Sequence, residues 1–287
     1  MKSAAFNSIK SNSILADRGF ARRGEPAFTL LELMVVTATV AILAILILPA
    51  LARSDDHGAR MVCMNNLRQM GTASGMYAAD NRDYLPYPNW DGGANGSPPG
   101  WLYTVTSGAI PNPVDSAPWK ANPITAWRTG TWFQYVQNTK AYLCPVDVES
   151  KTYTTATASG GRAEKLSTYV MNGASVGYAN TGMGYGTPCK ITDVWSPACY
   201  LLWEPDENVT GQGNPGAFEY NDGANAPSSP EGIGRLHSAN SGNLLCIGGN
   251  VQFVTVQTFR QQSTVYPGAG PNGKTLAWWS PISSNGH

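Results

Sequence analysis

From Leu33 to Ala52 the chain runs for 20 residues without a charged side chain. One acid, Glu32, stands at the front of the wider apolar stretch Phe28–Ala52. A helix of about 20 residues rises about 30 Å, enough to cross the hydrocarbon core of a bilayer. No water-soluble core absorbs such a segment easily. It therefore divides the chain into a leader (1–27), an apolar span (28–52) and a large remainder (53–287).

The charges support that division. Residues 1–27 hold Lys2, Lys10, Arg18, Arg22 and Arg23 against Asp17 and Glu25, a balance of +3. The whole chain is neutral, so the rest balances at −3. Cations before an apolar span keep the N-terminus in the cytoplasm and place the downstream chain on the other side. The remainder suits such a place: only 13% of the residues are charged, while Gly, Pro, Trp and Tyr abound. That composition favours a loop-rich extracytoplasmic domain over a cytosolic enzyme. No basic run follows residue 27, so nucleic acid is not an expected partner. A secretory signal peptide is an alternative, with Ala50-Leu51-Ala52 as its A-x-A cleavage site. The apolar run is too long for it, and Glu32 has no part in that scheme. A plain membrane anchor is the third reading.

Beyond Arg53 the pattern turns amphipathic. Cys63, Leu67, Met70, Ser74 and Tyr77 fall at i, i+4, i+7, i+11 and i+14, one stripe of a helix. Asn65, Arg68, Gln69 and Thr72 form its polar side. The spacing predicts a helix continuing to about Ala79, weakened by Gly71 and Gly75. Pro49 removes a backbone donor, and a kink or melted turn is expected there.

Phe28-Thr29-Leu30-Leu31-Glu32-Leu33-Met34-Val35-Val36 resembles the N-terminal cleavage and methylation segment of type IV pilins and type II secretion pseudopilins. The resemblance implies cleavage between Ala27 and Phe28 by a prepilin peptidase, which also methylates the new N-terminus. Most members have Gly where this chain has Ala27. Glu32 becomes the fifth mature residue, where the family carries a Glu that sets subunit register. Pro49 becomes the twenty-second, also a family feature. Cys63-Met64-Asn65-Asn66-Leu67-Arg68-Gln69 and the exit through Tyr77, Asp80, Asn81 and Pro86 are similar to a bacterial pilin-like subfamily. Its "C-P-x-D" element matches Cys144 to Asp147. Its C-terminal "H…N" hairpin matches His237 and Asn243, with Gly248-Gly249-Asn250 in place of Asp-Gly-His. The implied partners are copies of the chain, related subunits, the peptidase, an inner-membrane assembly platform and the lipid bilayer. The implied place is the inner membrane, with a periplasmic head that passes into a filament.

The remainder reads as an α+β head: the second half of the long helix packed on an antiparallel sheet with long loops. Candidate strands are Ser167–Met171, Lys190–Val194, Tyr200–Glu204, Asn243–Ile247 and Val251–Thr255, each short and bounded by turn formers. A further short strand is expected at 141–147, helical turns at 126–138, and a flexible Thr/Gly-rich stretch at 151–165. Gly248-Gly249 reads as a hairpin turn. The tryptophans at 90, 101, 119, 127 and 132 are expected to cap a small core, although exposed they would make a sugar- or partner-binding surface.

Five cysteines are present, without a CxxC spacing, and three histidines, so a zinc site is not expected. Cys63 with Cys144 is the favoured disulfide, and Cys189 with Cys199 the second choice. Asp206, Glu207 and Asp222 on a Gly/Asn-rich segment are weak calcium candidates. Gly173-Ala174-Ser175-Val176-Gly177 matches G-x-S-x-G, with Asp206 or Asp222 and His237 following in hydrolase order. The sequence after Ser175 is too rich in Gly to supply the helix that motif needs. No catalytic residue is assigned. Two other functions remain: a membrane-anchored surface or carbohydrate-binding protein that does not polymerise, and a secreted serine hydrolase.

Overall fold

The computed structural model describes residues 28–106, 108–178, 186–205, 219–228, 231–264, 268 and 270–287, with side chains omitted over 47–56. The chain divides into two units at Leu51–Ala52, and each is taken by itself. The first helix, α1 (Leu30–Asp80), contributes to both. The backbone of α1 is helical through residue 49, so the melted turn expected at Pro49 does not form. Among the described residues no helix is long and apolar enough to cross a membrane; the description of side chains stops at residue 46, partway through the apolar span.

In the first unit, every described side chain from Phe28 to residue 46 is exposed. Phe28 and Leu30 are each 75% exposed, and Leu46 is 67% exposed. The only polar side chains between residues 33 and 46 are Thr37 and Thr39. Their hydroxyls donate to carbonyls of their own helix, Thr37 to Leu33 O at 2.9 Å and Thr39 to Val36 O at 2.8 Å. Neither hydroxyl on this surface depends on water for a partner.

The second unit has the predicted mixed architecture. Its half of α1 buries Cys63, Leu67, Met70 and Ser74 and exposes Asn65, Arg68 and Thr72, as the stripe requires. Three one-turn helices follow in the loops, α2 (Ile124–Trp127), α3 (Phe133–Val136) and α4 (Lys151–Thr154), with 3-10 turns between them. The sheet comprises β1 (Val170–Asn172), β2 (Tyr200–Trp203), β3 (Ala224–Asn225), β4 (Ser241–Cys246) and β5 (Val251–Thr255), in the order β3-β1-β2-β4-β5. Three of the pairings are antiparallel, while β1 and β3 are parallel. The chain then forms α5 (Val256–Ser263), capped by Thr255, whose hydroxyl accepts from Thr258 N at 3.0 Å.

The sheet is covered on both faces, and β1, β2 and β4 are buried along their whole length. Leu67, Met70 and Ala73 of α1 belong to one core with Met171, Leu202 and Leu245. Val170, Tyr200, Trp203, Leu244 and Val254 form a second core with Phe259 of α5. Neighbours along a strand thus point to opposite cores.

Several expectations change. Lys190–Val194 is not a strand: Lys190 makes one bridge to Tyr84 and a 3-10 turn follows over Ile191–Asp193. The expected strand at 141–147 is replaced by the 3-10 turn Thr139–Tyr142 and a loop. The stretch 151–165 is not simply flexible loop: it contains α4, and Arg162, Glu164 and Lys165 are fully buried. The tryptophans go inward as expected: Trp101 and Trp132 are fully buried, and Trp90 and Trp119 partly so. The turn at Gly248-Gly249 forms, with Gly249 at φ +83°, a conformation that suits a residue without a Cβ.

Candidate functional site

Two places concentrate the residues singled out by sequence. The first is the start of α1. Thr29 precedes the helix, and its hydroxyl accepts from Glu32 N at 3.2 Å. Glu32 reaches back, its Oε2 accepting from Thr29 N at 2.9 Å and from the Thr29 hydroxyl at 2.8 Å. This is a reciprocal capping box, in which two otherwise orphaned donors are satisfied. Glu32, for which the resemblance implies a role between subunits, is engaged here within its own helix. Thr-x-x-Glu before an apolar run is the signature that could have shown this. Ala27 lies outside the described residues, as does the side chain of Pro49.

The second place is buried in the second unit, where four segments meet. Cys63 comes from α1, Cys144 from the loop after the 3-10 turn at 139–142, Glu204 from the end of β2, and His237 from the loop before β4. The two sulfurs, a Glu204 oxygen and a His237 nitrogen all lie within 4.8 Å of one another. His237 Nε2 is 3.4 Å from Cys144 Sγ and 3.5 Å from Glu204 Oε1. The side chains of His237 and Glu204 are both fully buried.

The surroundings fix each member. Asn66, beside Cys63 on the helix, donates its amide to Lys140 O at 3.2 Å and Leu143 O at 3.0 Å, which holds the Cys144 loop against α1. Cys144 N donates to Thr168 Oγ1 at 2.9 Å, and that hydroxyl donates to Asp147 Oδ2 at 2.7 Å. Asp147 in turn accepts two bonds from Arg162, at 2.9 and 2.7 Å, in a fully buried ion pair. Tyr169 OH donates to Cys63 O at 3.5 Å. Asn243 on β4 donates through its backbone to Glu204 Oε2 at 3.2 Å and through its side chain to Oε1 at 3.1 Å. The separate sequence elements around Cys63, Cys144–Asp147, His237 and Asn243 therefore converge on one spot.

The electrostatics are those of a tight proton-sharing cluster. Cys63 donates to Cys144, which together with burial pushes the Cys63 thiol up. Accepting that bond, and a second from His237, lowers Cys144 to about 7 against the cost of burial. Burial works against the His237 cation, but its bonds to Cys144 and Glu204 outweigh this and raise it to about 10. Chemically the set offers two soft sulfurs, one imidazole nitrogen and one carboxylate oxygen.

Cys63 and Cys144, the favoured disulfide partners, are thus neighbours, present here as free thiols. Cys189 and Cys199 are also free and buried, and Cys199 has Cys246 as an electrostatic neighbour. Glu204 was not singled out by sequence. No spacing connects it to residues 63, 144 and 237, and its only signal was an acid at the end of an apolar strand.

The remaining candidates do not gather. Asp206 and Glu207 lie outside the described residues. Asp222 is buried and accepts from Ala224 N at 2.9 Å and Gly92 N at 3.3 Å, so it ties two loops together. Ser175 is buried in a 3-10 turn after β1, and its hydroxyl has no hydrogen-bond partner among the described residues. His237, the base that a hydrolase triad would need, faces Cys144 and Glu204 instead.

No curated protein and no solved structure matches the chain. Residues 58–196, just under half of its length and including Cys63 and Cys144, match the family described as "Protein of unknown function (DUF1559)".

Proposed function

We propose that this chain is a non-catalytic, pilin-like subunit of a type IV pilus or a type II secretion pseudopilus. It enters the inner membrane with its N-terminus in the cytoplasm and is cut before Phe28. The new N-terminus is methylated, and the subunit assembles through α1. The observation that carries this reading is the surface of α1 over residues 33–46. It is apolar and exposed along its whole length, and its two hydroxyls bond to their own helix. A helix with no polar face has nothing to offer water and suits lipid or a bundle of like helices. Glu32 is the one acid at its head. An acid near the end of such a span favours pairing with a cation, and the free amine of Phe28 on a neighbouring subunit supplies one. The family match over residues 58–196 is compatible with a pilin-like surface protein.

Glu32→Gln tests the assembly role. Glutamine also serves in a capping box, so the helix start is retained while the charge is removed. The expected result is a processed subunit that stays in the membrane and is absent from sheared fibres. Normal fibre yield from Glu32→Gln would show that Glu32 acts only as a cap.

A further inference from the structure

We propose that Cys63, Cys144, Glu204 and His237 bind one Zn²⁺ ion in a closed, structural site within the head. The site is independent of filament assembly. A tetrahedral site with Zn–S of about 2.3 Å and Zn–N or Zn–O of about 2.0–2.1 Å puts sulfur about 3.6 Å from nitrogen and nitrogen about 3.3 Å from oxygen. The corresponding separations here are 3.4 Å for Cys144 Sγ to His237 Nε2 and 3.5 Å for His237 Nε2 to Glu204 Oε1. All four donor atoms lie within 4.8 Å of one another, so small side-chain adjustments bring them round one ion.

The donor set also selects the ion. Two sulfurs with one imidazole and one carboxylate in a four-donor cluster suit zinc better than the oxygen-seeking calcium or magnesium ions. Zinc would replace the protons held by the two thiols and by His237 Nε2, which leave to solvent, and four protein ligands would fill its sphere. No position is then left for a reacting water, so the role is structural.

A disulfide between Cys63 and Cys144 is the competing use of the same sulfurs. It accounts for two of the four groups only. Glu204 and His237 would remain fully buried beside an apolar bridge. His237 Nε2 carries at most one proton, yet it lies within reach of both Cys144 Sγ and Glu204 Oε1. A cation at the centre engages all of them at once. The outer contacts suit a metal site as well, since Asn243 orients Glu204 and Thr168 holds the backbone of Cys144. Such supporting contacts ordinarily set the geometry of metal ligands.

The test uses the full chain, purified in detergent without chelator. Metal analysis is expected to give one zinc per chain. X-ray absorption at the zinc edge is expected to show two sulfurs at about 2.3 Å and two lighter donors at about 2.0–2.1 Å. Reduced, metal-stripped protein titrated with Zn²⁺ should take up one equivalent and become protected at Cys63 and Cys144 from alkylation. Glu204→Gln, close in size to the native residue, should bind Zn²⁺ at least tenfold more weakly. The proposal is overturned by failure of the stripped, reduced protein to take up Zn²⁺, by a zinc shell without sulfur, or by a Cys63–Cys144 disulfide throughout the protein isolated from cells. Unchanged affinity in Glu204→Gln would overturn the four-ligand assignment. The spectrum of the unmutated protein decides the matter even if a variant does not fold.

Discussion

Two glycines on α1 should respond in opposite directions to the same substitution. Gly71 and Gly75 both lie in the helix interior, where glycine is less favourable than alanine by about 0.8–1.0 kcal/mol. Gly75 is exposed, and a Cβ built there meets nothing within 4 Å. Gly75→Ala should therefore stabilise by about 1 kcal/mol. At Gly71 the same Cβ falls 2.9 Å from Leu245 Cδ1, 3.2 Å from Gly249 Cα and 3.4 Å from Gly249 O. Ordinary carbon contacts lie at about 3.5–4.0 Å, so the hairpin has to retreat by several tenths of an ångström. Gly249 sits in the tight turn at φ +83° and gives way poorly. Overpacking of this kind costs about 1–3 kcal/mol, which cancels or exceeds the helix gain. The two variants should differ by about 1–3 kcal/mol. At about 2–4 °C per kcal/mol for a domain of this size, the midpoint of Gly75→Ala rises and that of Gly71→Ala stays level or falls. Thermal unfolding followed by far-ultraviolet circular dichroism reads both. A Gly71→Ala protein as stable as Gly75→Ala would refute the close approach of α1 and the β4–β5 hairpin.

Other consequences are equally open to measurement. Asp147→Ala leaves the Arg162 guanidinium buried without its carboxylate and should cost about 3–5 kcal/mol in denaturant unfolding; a loss below about 1 kcal/mol would mean that water reaches Arg162. Burial raises Glu164, Asp222 and Glu231 to about 8 in the folded state, each from an ordinary carboxylate value. The folded protein then holds protons that the unfolded chain has lost, so stability contributed by these groups is complete below about pH 4 and declines as pH rises toward 8. The melting midpoint should fall between about pH 5 and 8, and Glu164→Gln should flatten that slope; a midpoint that rises over this range would contradict the burial of these acids. Thr29→Ala removes one side of the capping box and should cost about 0.5–2 kcal/mol of local helix stability, visible as faster amide exchange over residues 30–34.

How much of this was legible in the sequence depended on whether the cause was local. The stripe from Cys63 to Tyr77 is a matter of helical period, and the helix follows it to Asp80. β2, β4 and β5 lie where short apolar runs between turn formers put them. β3 has only two residues and is held by its neighbour β1, so it carried no pattern of its own. Lys190–Val194 has strand-like composition, but its single bridge to Tyr84 leads into a 3-10 turn. The Thr/Gly-rich stretch 151–165 looked solvated because its partners are distant in sequence. Arg162 is held by Asp147 and lies 3.9 Å from the Tyr220 ring centroid, and Lys165 Nζ is 3.0 Å from Asp115. The buried cluster divides the same way. The sulfurs of Cys63 and Cys144 could be paired from sequence, because they belonged to recognisable elements. Glu204 joins them only through the fold, when β2 and the loop before β4 come together beneath α1.

The central claim concerns the apolar helix and its processing, and the mass of the mature N-terminus tests it most directly. Intact-mass and N-terminal peptide analysis of membrane and sheared fractions should find a chain beginning at Phe28 with one added methyl group, in both fractions. A chain that begins at Met1 would make the segment a plain anchor, and one that begins at Arg53 would make it a signal peptide. Either result would contradict the pilin-like account.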